Sequence, residues 1–344
     1  MMVHGTTVPR KAWAQIDTPD IFFSNIYYEV AALIEPDFAD LTLLEWHDAA
    51  GVVRLPLIIR EIRNTGYFDA TNAYGHGGPW IEGQPDLQGF RKYYDRWAKT
   101  HHIVATFLQF HPMFDYATRL AEAFPVTKSG ENIVWNLQTD DLVAQMSSSN
   151  RRNYRKGLRA GLEMNVTEQP TDLTNFRKLY DTTMRRLGAR PFYFFNDAYW
   201  HALESKLSPA MVQVDAIFQG ETVSSTLNIL SKDVIHFQHN GSTLQGRDLN
   251  GPVVVHVATA QWAQDHGYTI GHLGGGSVAS LLEFKKRFDP ATAPRDFSTM
   301  QLVHDDENYR RLAQGFPETD YFPVWRDPAS YEDKRTLRQA QATR

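Results

Sequence analysis

The hydrophobic pattern of the first half of the chain predicts a compact order of elements. Two β-rich runs at residues 41–46 and 52–59 predict a hairpin, and a polar, glycine-rich stretch follows at 64–83. Residues 87–100 carry aromatic side chains at spacings of three and four, which predicts an amphipathic helix. Residues 103–110 are strand-like. The expected order is therefore a hairpin, a loop, a helix and a strand.

The second half repeats this order. The pattern predicts strands at 211–218, 223–230 and 234–238, then a helix at 252–266 and a strand at 269–273. Pro252 stands where the helix begins, a position at which its missing N–H costs nothing, and Gly267 ends the helix. The repetition indicates an internal duplication. It predicts an α/β (α+β) fold with a mixed sheet and helices on both faces, made twice.

The segment between the two halves predicts one strand and three helices. The strand covers 132–137, and the helices cover 142–146, 150–161 and 173–186. We expect the domain boundary near 138–149, with an N-terminal domain at 1–145 and a C-terminal domain at 146–330. A polar tail at 331–344 follows.

Composition limits the possible functions. A chain of 344 residues exceeds the usual size of one core, about 250 residues, which agrees with two domains. The absence of cysteine excludes disulfides, thiolate catalysis and thiolate metal sites. The formal net charge is −5, so a polyanion would have to bind to a local basic patch. The oligomeric state is not indicated by any pattern.

Targeting signals are not evident in the sequence. Residues 1–15 contain no apolar core of the signal-peptide kind, and no apolar run approaches the ~20 residues of a membrane span. We therefore expect a cytoplasmic protein without a membrane span.

The most informative segment is residues 274–288. Gly274, Gly275 and Gly276 allow close approach of the backbone to a ligand and expose N–H donors, and Lys285 follows between Phe284 and Phe288. This pattern favours the wall of an active site. The structural alternative is a helix-entry loop followed by a solvated basic face.

Three segments together resemble the FemABX family of aminoacyltransferases and related members of the GNAT superfamily. They are the glycine loop with the Phe-Lys-x-x-Phe motif at 274–288, the helix and loop at 180–193, and Tyr-Gly-His-Gly-Gly-Pro at 74–79. The last is similar to the exopolysaccharide-associated branch. The resemblance implies tandem GNAT folds and a functional Lys285 with Phe284 as its packing neighbour. That lysine would stabilise the oxyanion or the leaving oxygen during acyl transfer to an amine.

Arg186, Arg190 and Tyr193 form the second group of candidate residues. Two arginines four residues apart and a nearby phenol suit a phosphate or diphosphate, and the resemblance implies a nucleotide-linked acceptor at this helix end. Cations that complement the dipole of a helix C-terminus are the alternative.

Other candidate side chains are Tyr74 and His76 in the glycine-rich loop, and His236 near a position where family members often carry an acceptor-contacting tyrosine. His236 and His239 lie on one predicted strand, so a period of two would place them on opposite faces. This argues against a shared metal, and no metal site is expected.

A basic helical stripe forms the last candidate site. Like charges at this spacing repel, and binding of phosphate would offset the repulsion, as would neighbouring acidic residues. Ser147, Ser148, Ser149 or Asn150 could cap the helix. We consider the stripe a possible contact for the acceptor end of tRNA; its members are Arg151, Arg152, Arg155, Lys156 and Arg159.

The leading prediction is an acyltransferase that forms an amide on an amine of a cell-wall precursor or small metabolite. Aminoacyl-tRNA is the implied co-substrate, and no tightly bound cofactor is expected. Acyl-CoA is disfavoured, since residues 245–252 hold only a degenerate pyrophosphate loop in which Pro252 lacks an N–H.

Three alternatives remain at this stage. One is an acyl-CoA-dependent N-acyltransferase of exopolysaccharide or lipid metabolism, and another is a non-catalytic protein that binds a precursor. A hydrolase built on Ser277, Asp289 and His304 is the third, although the spacing of these residues is too compressed for a nucleophile elbow with later partners.

Overall fold

The structure is a computed structural model that describes residues 4–276 and 278–328. It divides into two compact units. Unit 1 takes the described residues up to 129 and again from 297 onward, and unit 2 takes residues 130–296. Ser277 and the predicted polar tail at 331–344 lie outside the described residues.

Thirteen strands and twelve α-helices occur in the described ranges. The strands are β1 (His4–Val8), β2 (Phe38–His47), β3 (Gly51–Ile62), β4 (Tyr67–Thr71), β5 (Trp80–Gly83), β6 (Ile103–Gln109), β7 (Val126–Asn136), β8 (Glu163–Glu168), β9 (Met211–Phe218), β10 (Glu221–Ser231), β11 (Val234–Ser242), β12 (Ile270–Gly274) and β13 (Arg295–Val303). The helices are α1 (Arg10–Trp13), α2 (Asn25–Ala31), α3 (Leu87–Thr100), α4 (Tyr116–Leu120), α5 (Leu142–Gln145), α6 (Ser148–Arg159), α7 (Thr174–Leu187), α8 (Asp197–Ala202), α9 (Leu244–Asp248), α10 (Gly251–Asp265), α11 (Ala279–Lys286) and α12 (Asp306–Ala313).

The two units repeat one pattern of strand pairing. In unit 1, β2, β3 and β4 pair antiparallel in succession, and β4 then pairs parallel with β6 after the crossover through α3. In unit 2, β9, β10 and β11 pair antiparallel, and β11 pairs parallel with β12 after the crossover through α10. The predicted duplication and the mixed α/β sheet fold are therefore confirmed.

The sheet of unit 2 carries helices on both faces. Phe237 of β11 stacks on His256 of α10 with ring centroids 5.1 Å apart, whereas His239 contacts Tyr180 of α7 with centroids 5.4 Å apart. Phe237 and His239 pair with the adjacent residues Asn228 and Leu227 of β10, so their side chains lie on opposite faces. One face thus packs against α10 and the other against α7 and α8.

Several elements differ from the sequence predictions. The stretch at 64–83, predicted as a loop, contains β4 and β5, and β11 continues beyond residue 238, the predicted end of that strand. The compact units change over at 129/130 and 296/297, in contrast to the predicted boundary at 145/146. The physical reason is strand pairing. β7 pairs with β12 of unit 2, and β13, although late in the chain, pairs with β6 of unit 1.

A buried ion-pair network ties the late segment of the chain into unit 1. Asp69 of β4, which is fully buried, accepts hydrogen bonds of 2.7 Å from Arg60 Nε, Trp325 Nε1 and Arg326 Nε. Arg60 also donates to Glu35 at 2.7 Å, and Arg326 to Asp37 at 2.9 Å. One carboxylate therefore joins two strands to the 3₁₀ turn at Val324–Arg326.

We expect unit 2 to lose stability in acid. Burial lowers the pKa of His239 to about 3 and that of His256 to about 4, so both are neutral when folded but bind protons below about pH 6.5 when unfolded. The unfolded state then binds more protons, and the free energy of unfolding falls by up to roughly 1.4 kcal/mol per pH unit for each histidine between pH 6.5 and the folded pKa. Urea unfolding across this range measures the slope.

Matched variants distinguish the effect of a buried histidine on this slope from the effect of replacing an exposed one. His239→Gln should reduce the slope, while His266→Gln, at a half-exposed histidine beside Glu168, is the control for the substitution itself. A slope that is the same in all three proteins would contradict the assignment.

Among the described residues, no helix is both long enough and apolar enough to cross a bilayer.

Candidate active site

The candidate site lies at the carboxyl edge of the sheet of unit 2, where two parallel strands part. Pairing between β11 and β12 ends at His236 and His272, yet β11 continues to Ser242 and β12 to Gly274. Ligands of open α/β sheets bind outside the carboxyl ends of the strands at such points. The glycine loop follows β12 directly, so the sequence motif lies at this opening.

Lys285 of α11 reaches back over the glycine loop. Its Nζ donates a hydrogen bond of 2.5 Å to the carbonyl of Gly275, and a Cβ built on Gly274 would lie 3.5 Å from that nitrogen. Gly274 has a φ of +74°, a region that L side chains rarely adopt. Burial lowers the pKa of the Lys285 ammonium group to about 8. The glycine loop and Lys285, which is 10 residues beyond Gly275 in the chain, therefore form one local structure.

The two phenylalanines of the motif hold α11 against the core. Phe288 is fully buried, with its ring centroid 5.0 Å from those of both Trp135 and His256. Phe284 meets Phe288 edge-on at 5.2 Å. This packing fixes the helix that carries Lys285.

A buried polar chain runs beneath the glycine loop. Asn132 Oδ1 lies 3.1 Å from His272 Nε2, and His272 Nδ1 lies 2.9 Å from His236 Nδ1. Asn132 Oδ1 is also 3.9 Å from the Cβ position of Gly274. His236 therefore belongs to the same edge as Lys285 and is held by ring-nitrogen contacts with its neighbour on β12.

The predicted orientation of the two β11 histidines is wrong. His236 pairs with Ile229 and His239 with Leu227, so a bulge at Gln238 returns both histidines to one face of the sheet. They bond different partners, since His239 Nε2 lies 3.0 Å from the hydroxyl of Tyr199. A strict period of two fails here because one extra residue is inserted.

The members of the predicted diphosphate group differ in burial and in their hydrogen-bond partners. Arg186 Nη2 donates to the carbonyl of Ser242 at 3.3 Å, at the carboxyl end of β11, and its Nε has no hydrogen-bond partner among the described residues. Burial and the nearby Arg247 lower the pKa of this guanidinium. Arg190 is exposed, and Tyr193 is half-buried in a 3₁₀ turn. Arg186 thus has Arg247, which the sequence prediction omitted, as its cationic neighbour.

The basic stripe forms most of α6. Ser147 caps this helix by accepting a hydrogen bond from the backbone N–H of Asn150 at 3.3 Å. Arg151 donates to the carbonyl of Ala144 at 3.1 Å, which ties it to the end of α5. The remaining four cations are exposed, and none of them forms an ion pair within the described part of the chain: Arg152, Arg155, Lys156 and Arg159.

Tyr74 and His76 lie in unit 1. The carbonyl of Tyr74 accepts a hydrogen bond of 2.7 Å from the hydroxyl of Tyr27, and the ring of His76 meets those of Phe22 and His111 edge-on at 5.5 Å. Gly75 and Gly78 have φ angles of +98° and +78°, so the glycines of this loop are required by its backbone. The aromatic contacts account for the position of His76.

The two described residues of the hydrolase hypothesis, Asp289 and His304, have different hydrogen-bond partners. Asp289 of unit 2 accepts hydrogen bonds from the backbone of Asn136 and Thr292 at 3.0 and 3.2 Å. His304 of unit 1 contacts Asp95 at 3.2 Å and the hydroxyl of Thr106 at 2.9 Å. Ser277 lies outside the described residues. Both described residues thus serve local packing of their own units.

The glycines of the degenerate pyrophosphate loop pack against β10. A Cβ on Gly246 would come within 2.0 Å of the carbonyl oxygen of Val223, and one on Gly251 within 2.3 Å of Ser224 Oγ. Pro252 stands in the first turn of α10. Close approach of two backbones explains these glycines without a bound phosphate.

Sequence reasoning missed Asn132, His272 and Arg247 as neighbours of the site. The strands that carry Asn132 and His272 were predicted, but pairing of β7 with β12 joins segments more than 130 residues apart, which no local pattern reveals. An open pocket lined by residues 137–140, 264 and 267–269 lies at the other end of β12 and contains none of the candidate residues.

Comparisons with known proteins agree with this geometry. Residues 147–286 match the family described as acetyltransferase (GNAT) domain. No curated protein sequence matches the chain. The fold is similar to a crystal structure of FemX, with 12% identity, a TM-score of 0.67, and coverage of 90% of this chain and 100% of that one.

Two further solved structures have similar folds. A structure of L-PGS from Bacillus licheniformis is 15% identical with a TM-score of 0.53, and the alignment covers 83% of this chain and 90% of that one. A tandem GNAT protein from the clavulanic acid biosynthesis pathway is 10% identical with a TM-score of 0.52, covering 87% and 98%. Residues 147–286 match the acetyltransferase (GNAT) domain family, and the fold of the chain is similar to those of FemX and of the tandem GNAT protein.

Proposed function

We propose that the chain transfers an aminoacyl group from tRNA to an amine of a cell-wall precursor or small metabolite. The observation that carries this proposal is the desolvated ammonium group of Lys285, which lies over the glycine loop where β11 and β12 part. An aminoacyl-tRNA donor is made in the cytoplasm, so the reaction would take place there.

The chemistry needs one cation and no covalent intermediate. The acceptor amine attacks the carbonyl carbon of the aminoacyl ester, a C–N bond forms, and the C–O bond to the ribose breaks. The amine loses one proton and the ribose oxygen gains one. Lys285 stabilises the negative charge on the carbonyl oxygen or on the leaving oxygen, and a pKa of about 8 lets its ammonium group act near neutral pH.

The acceptor would bind through phosphate at the same sheet edge. Arg186 and Arg247 lie at the carboxyl end of β11, the edge that β12 and the glycine loop share, since the carboxyl ends of parallel strands meet. Two neighbouring guanidinium groups and an Nε without a partner suit a diphosphate, which accepts forked hydrogen bonds. This supports a nucleotide-linked amine as the acceptor, with Arg190 and Tyr193 on the adjoining loop.

Two observations favour tRNA as the carrier of the acyl donor. The loop at 245–252 is explained by packing against β10, and α6 presents four exposed cations without ion pairs in the described structure. Phosphates of a nucleic acid would offset the mutual repulsion of those cations. The second candidate donor is acyl-CoA, which the match of 147–286 to an acetyltransferase family supports.

A product assay with both donors tests the proposal. We expect an amide after incubation with a charged tRNA pool and nucleotide-linked amines. The Arg152→Glu/Arg155→Glu variant should raise the KM for tRNA on the order of tenfold and leave the acceptor KM unchanged, since phosphate contacts dominate nucleic-acid affinity. Leu158→Ser, between these cations and Arg159 on the same helix, is the control.

Other outcomes would point elsewhere. An amide formed only from acyl-CoA, with thermal stabilisation by CoA, would replace tRNA by the second donor. Precursor binding without turnover of either donor would indicate a non-catalytic binding protein.

A further inference from the structure

Four large apolar side chains are exposed where α7 ends and α9 begins. Leu187 is 63% exposed and Leu244 65%, and the rings of Phe192 and Phe194 are 39% and 38% exposed. Isolated exposed leucines are ordinary on protein surfaces, but four large side chains on two neighbouring segments form a patch. The patch belongs entirely to unit 2.

The backbone places these two segments side by side. Gly188 ends α7 in the left-handed conformation, and the N–H of Ala189 donates to the carbonyl of Met184 at 3.0 Å, so the chain turns sharply after Leu187. Thr183 and Arg186, in the last turn of α7, both donate to the carbonyl of Ser242, two residues before Leu244. Leu187 and Leu244 therefore lie at the same end of the unit.

The loop with the two phenylalanines is fastened to the same helix. The hydroxyl of Tyr180 donates to the carbonyl of Tyr193 at 3.0 Å, between Phe192 and Phe194. Phe195 points inward and is buried, with its ring 5.2 Å from that of His239. One buried ring thus anchors the loop and leaves its two neighbours at the surface.

Both segments of the patch carry arginines. Arg185, Arg186 and Arg190 belong to the end of α7 and its loop, and Arg247 lies one turn after Leu244 on α9. Arg185 has a weak ion pair with Asp181 at 4.0 Å, and Asp248 follows Arg247 in the chain. The arginines outnumber these acidic residues, so the rim of the patch is cationic.

We propose that this face binds the surface of an anionic lipid bilayer. Leucine and phenylalanine side chains insert at the boundary between headgroups and acyl chains, while arginines around them attract lipid phosphates. A second copy of the chain fits less well because it would bring two cationic rims together. Nucleic acid fits less well because the two most exposed side chains of the patch, Leu187 and Leu244, offer no ring for stacking on bases. Arg186, Arg190 and Arg247 also belong to the proposed acceptor site, so the inference is tested with no acyl donor or acceptor present.

Vesicle co-sedimentation of the whole chain tests this proposal without any transfer reaction. We expect binding to vesicles that contain phosphatidylglycerol, little binding to phosphatidylcholine alone, and weakening by added salt. The Leu187→Ser/Leu244→Ser variant should bind at least about tenfold more weakly, because two exposed apolar side chains no longer insert. Arg185→Glu should weaken binding by roughly tenfold as well.

Control variants test whether vesicle binding depends on this face. Both leucines are exposed, so the serine variant should keep the circular dichroism spectrum and thermal midpoint of the parent chain. Leu158→Ser, at an exposed leucine of the basic helix α6, should bind vesicles as the parent does. Equal loss in the Leu158 variant, equal binding to neutral vesicles, or no vesicle binding would each overturn the proposal. So would self-association that the Leu187→Ser/Leu244→Ser variant abolishes in the absence of lipid.

Discussion

The Lys285→Met variant should lose about 10²–10³-fold in the rate constant for amide formation while its fold stays intact. The side chain offers the cation at the parting of β11 and β12, and methionine keeps its length but not its charge or its donors. Phe284 and Phe288 still hold α11 against Trp135 and His256. Single-turnover kinetics with a saturating donor measure the change.

Lys286→Met is the matched control for this experiment. Lys286 is the next residue of α11, and its Nζ forms an ion pair with Glu131 at 3.2 Å instead of contacting the glycine loop. Its loss should alter the rate by less than about twofold, as expected for a partly exposed ion pair. Similar losses in both variants would show that general positive charge on α11 matters, and not the ammonium group over Gly275.

The pH dependence of kcat tests whether Lys285 acts in its charged form. Burial lowers the pKa of Lys285 to about 8, so the ammonium form dominates below that pH and disappears above it. If the charge stabilises an oxyanion, kcat falls as the pH rises through about 8. In Lys285→Arg the guanidinium stays charged, so whatever rate remains should not decline in that range. A decline that persists in the arginine variant would assign it to another group.

The Asp69→Asn variant should destabilise unit 1 by about 3–5 kcal/mol, because it leaves buried guanidinium groups without their counter-charge. Asp69 accepts hydrogen bonds from Arg60, Trp325 and Arg326 at 2.7 Å each, and it is fully buried. An asparagine of the same shape cannot supply the charge, and its amide N–H₂ would face donors. Urea unfolding measures the loss, and hydrogen exchange of β4 locates it.

Asp40→Asn provides the comparison for this network. Asp40 pairs with Arg10 at the surface, where both side chains are more than half exposed, and such pairs contribute about 0–1 kcal/mol. Equal effects of the two substitutions would mean that the buried network does not hold residues 324–326 against β4.

Much of the site could be predicted because its signals are local. Three consecutive glycines before a Phe-Lys-x-x-Phe run describe a tight loop and a helix whose aromatic residues, four apart, share one face. The structure brings Lys285 to the carbonyl of Gly275 within this one segment. The helix α7 was likewise predicted from periodicity, which placed Arg186 at a helix end.

The rest of the site depends on pairing between distant segments. Asn132 reaches His272 only because β7 joins β12, and Arg186 meets Arg247 only because α7 ends beside β11. A single extra residue at Gln238 reversed the predicted side of His239, since a bulge changes the face of every later side chain. The secondary-structure propensities of individual residues do not reveal such an insertion.

By itself, the sequence determined the repeated order of strands and helices and the motif that carries Lys285, because period and turn residues act over a few positions. Only the tertiary structure decided that β13 and residues 324–326 return to unit 1, that desolvation lowers the pKa of Lys285, and that His272 lies beside His236. Burial, strand register and charge environment arise when segments far apart in the chain meet, so they exist only in the folded molecule.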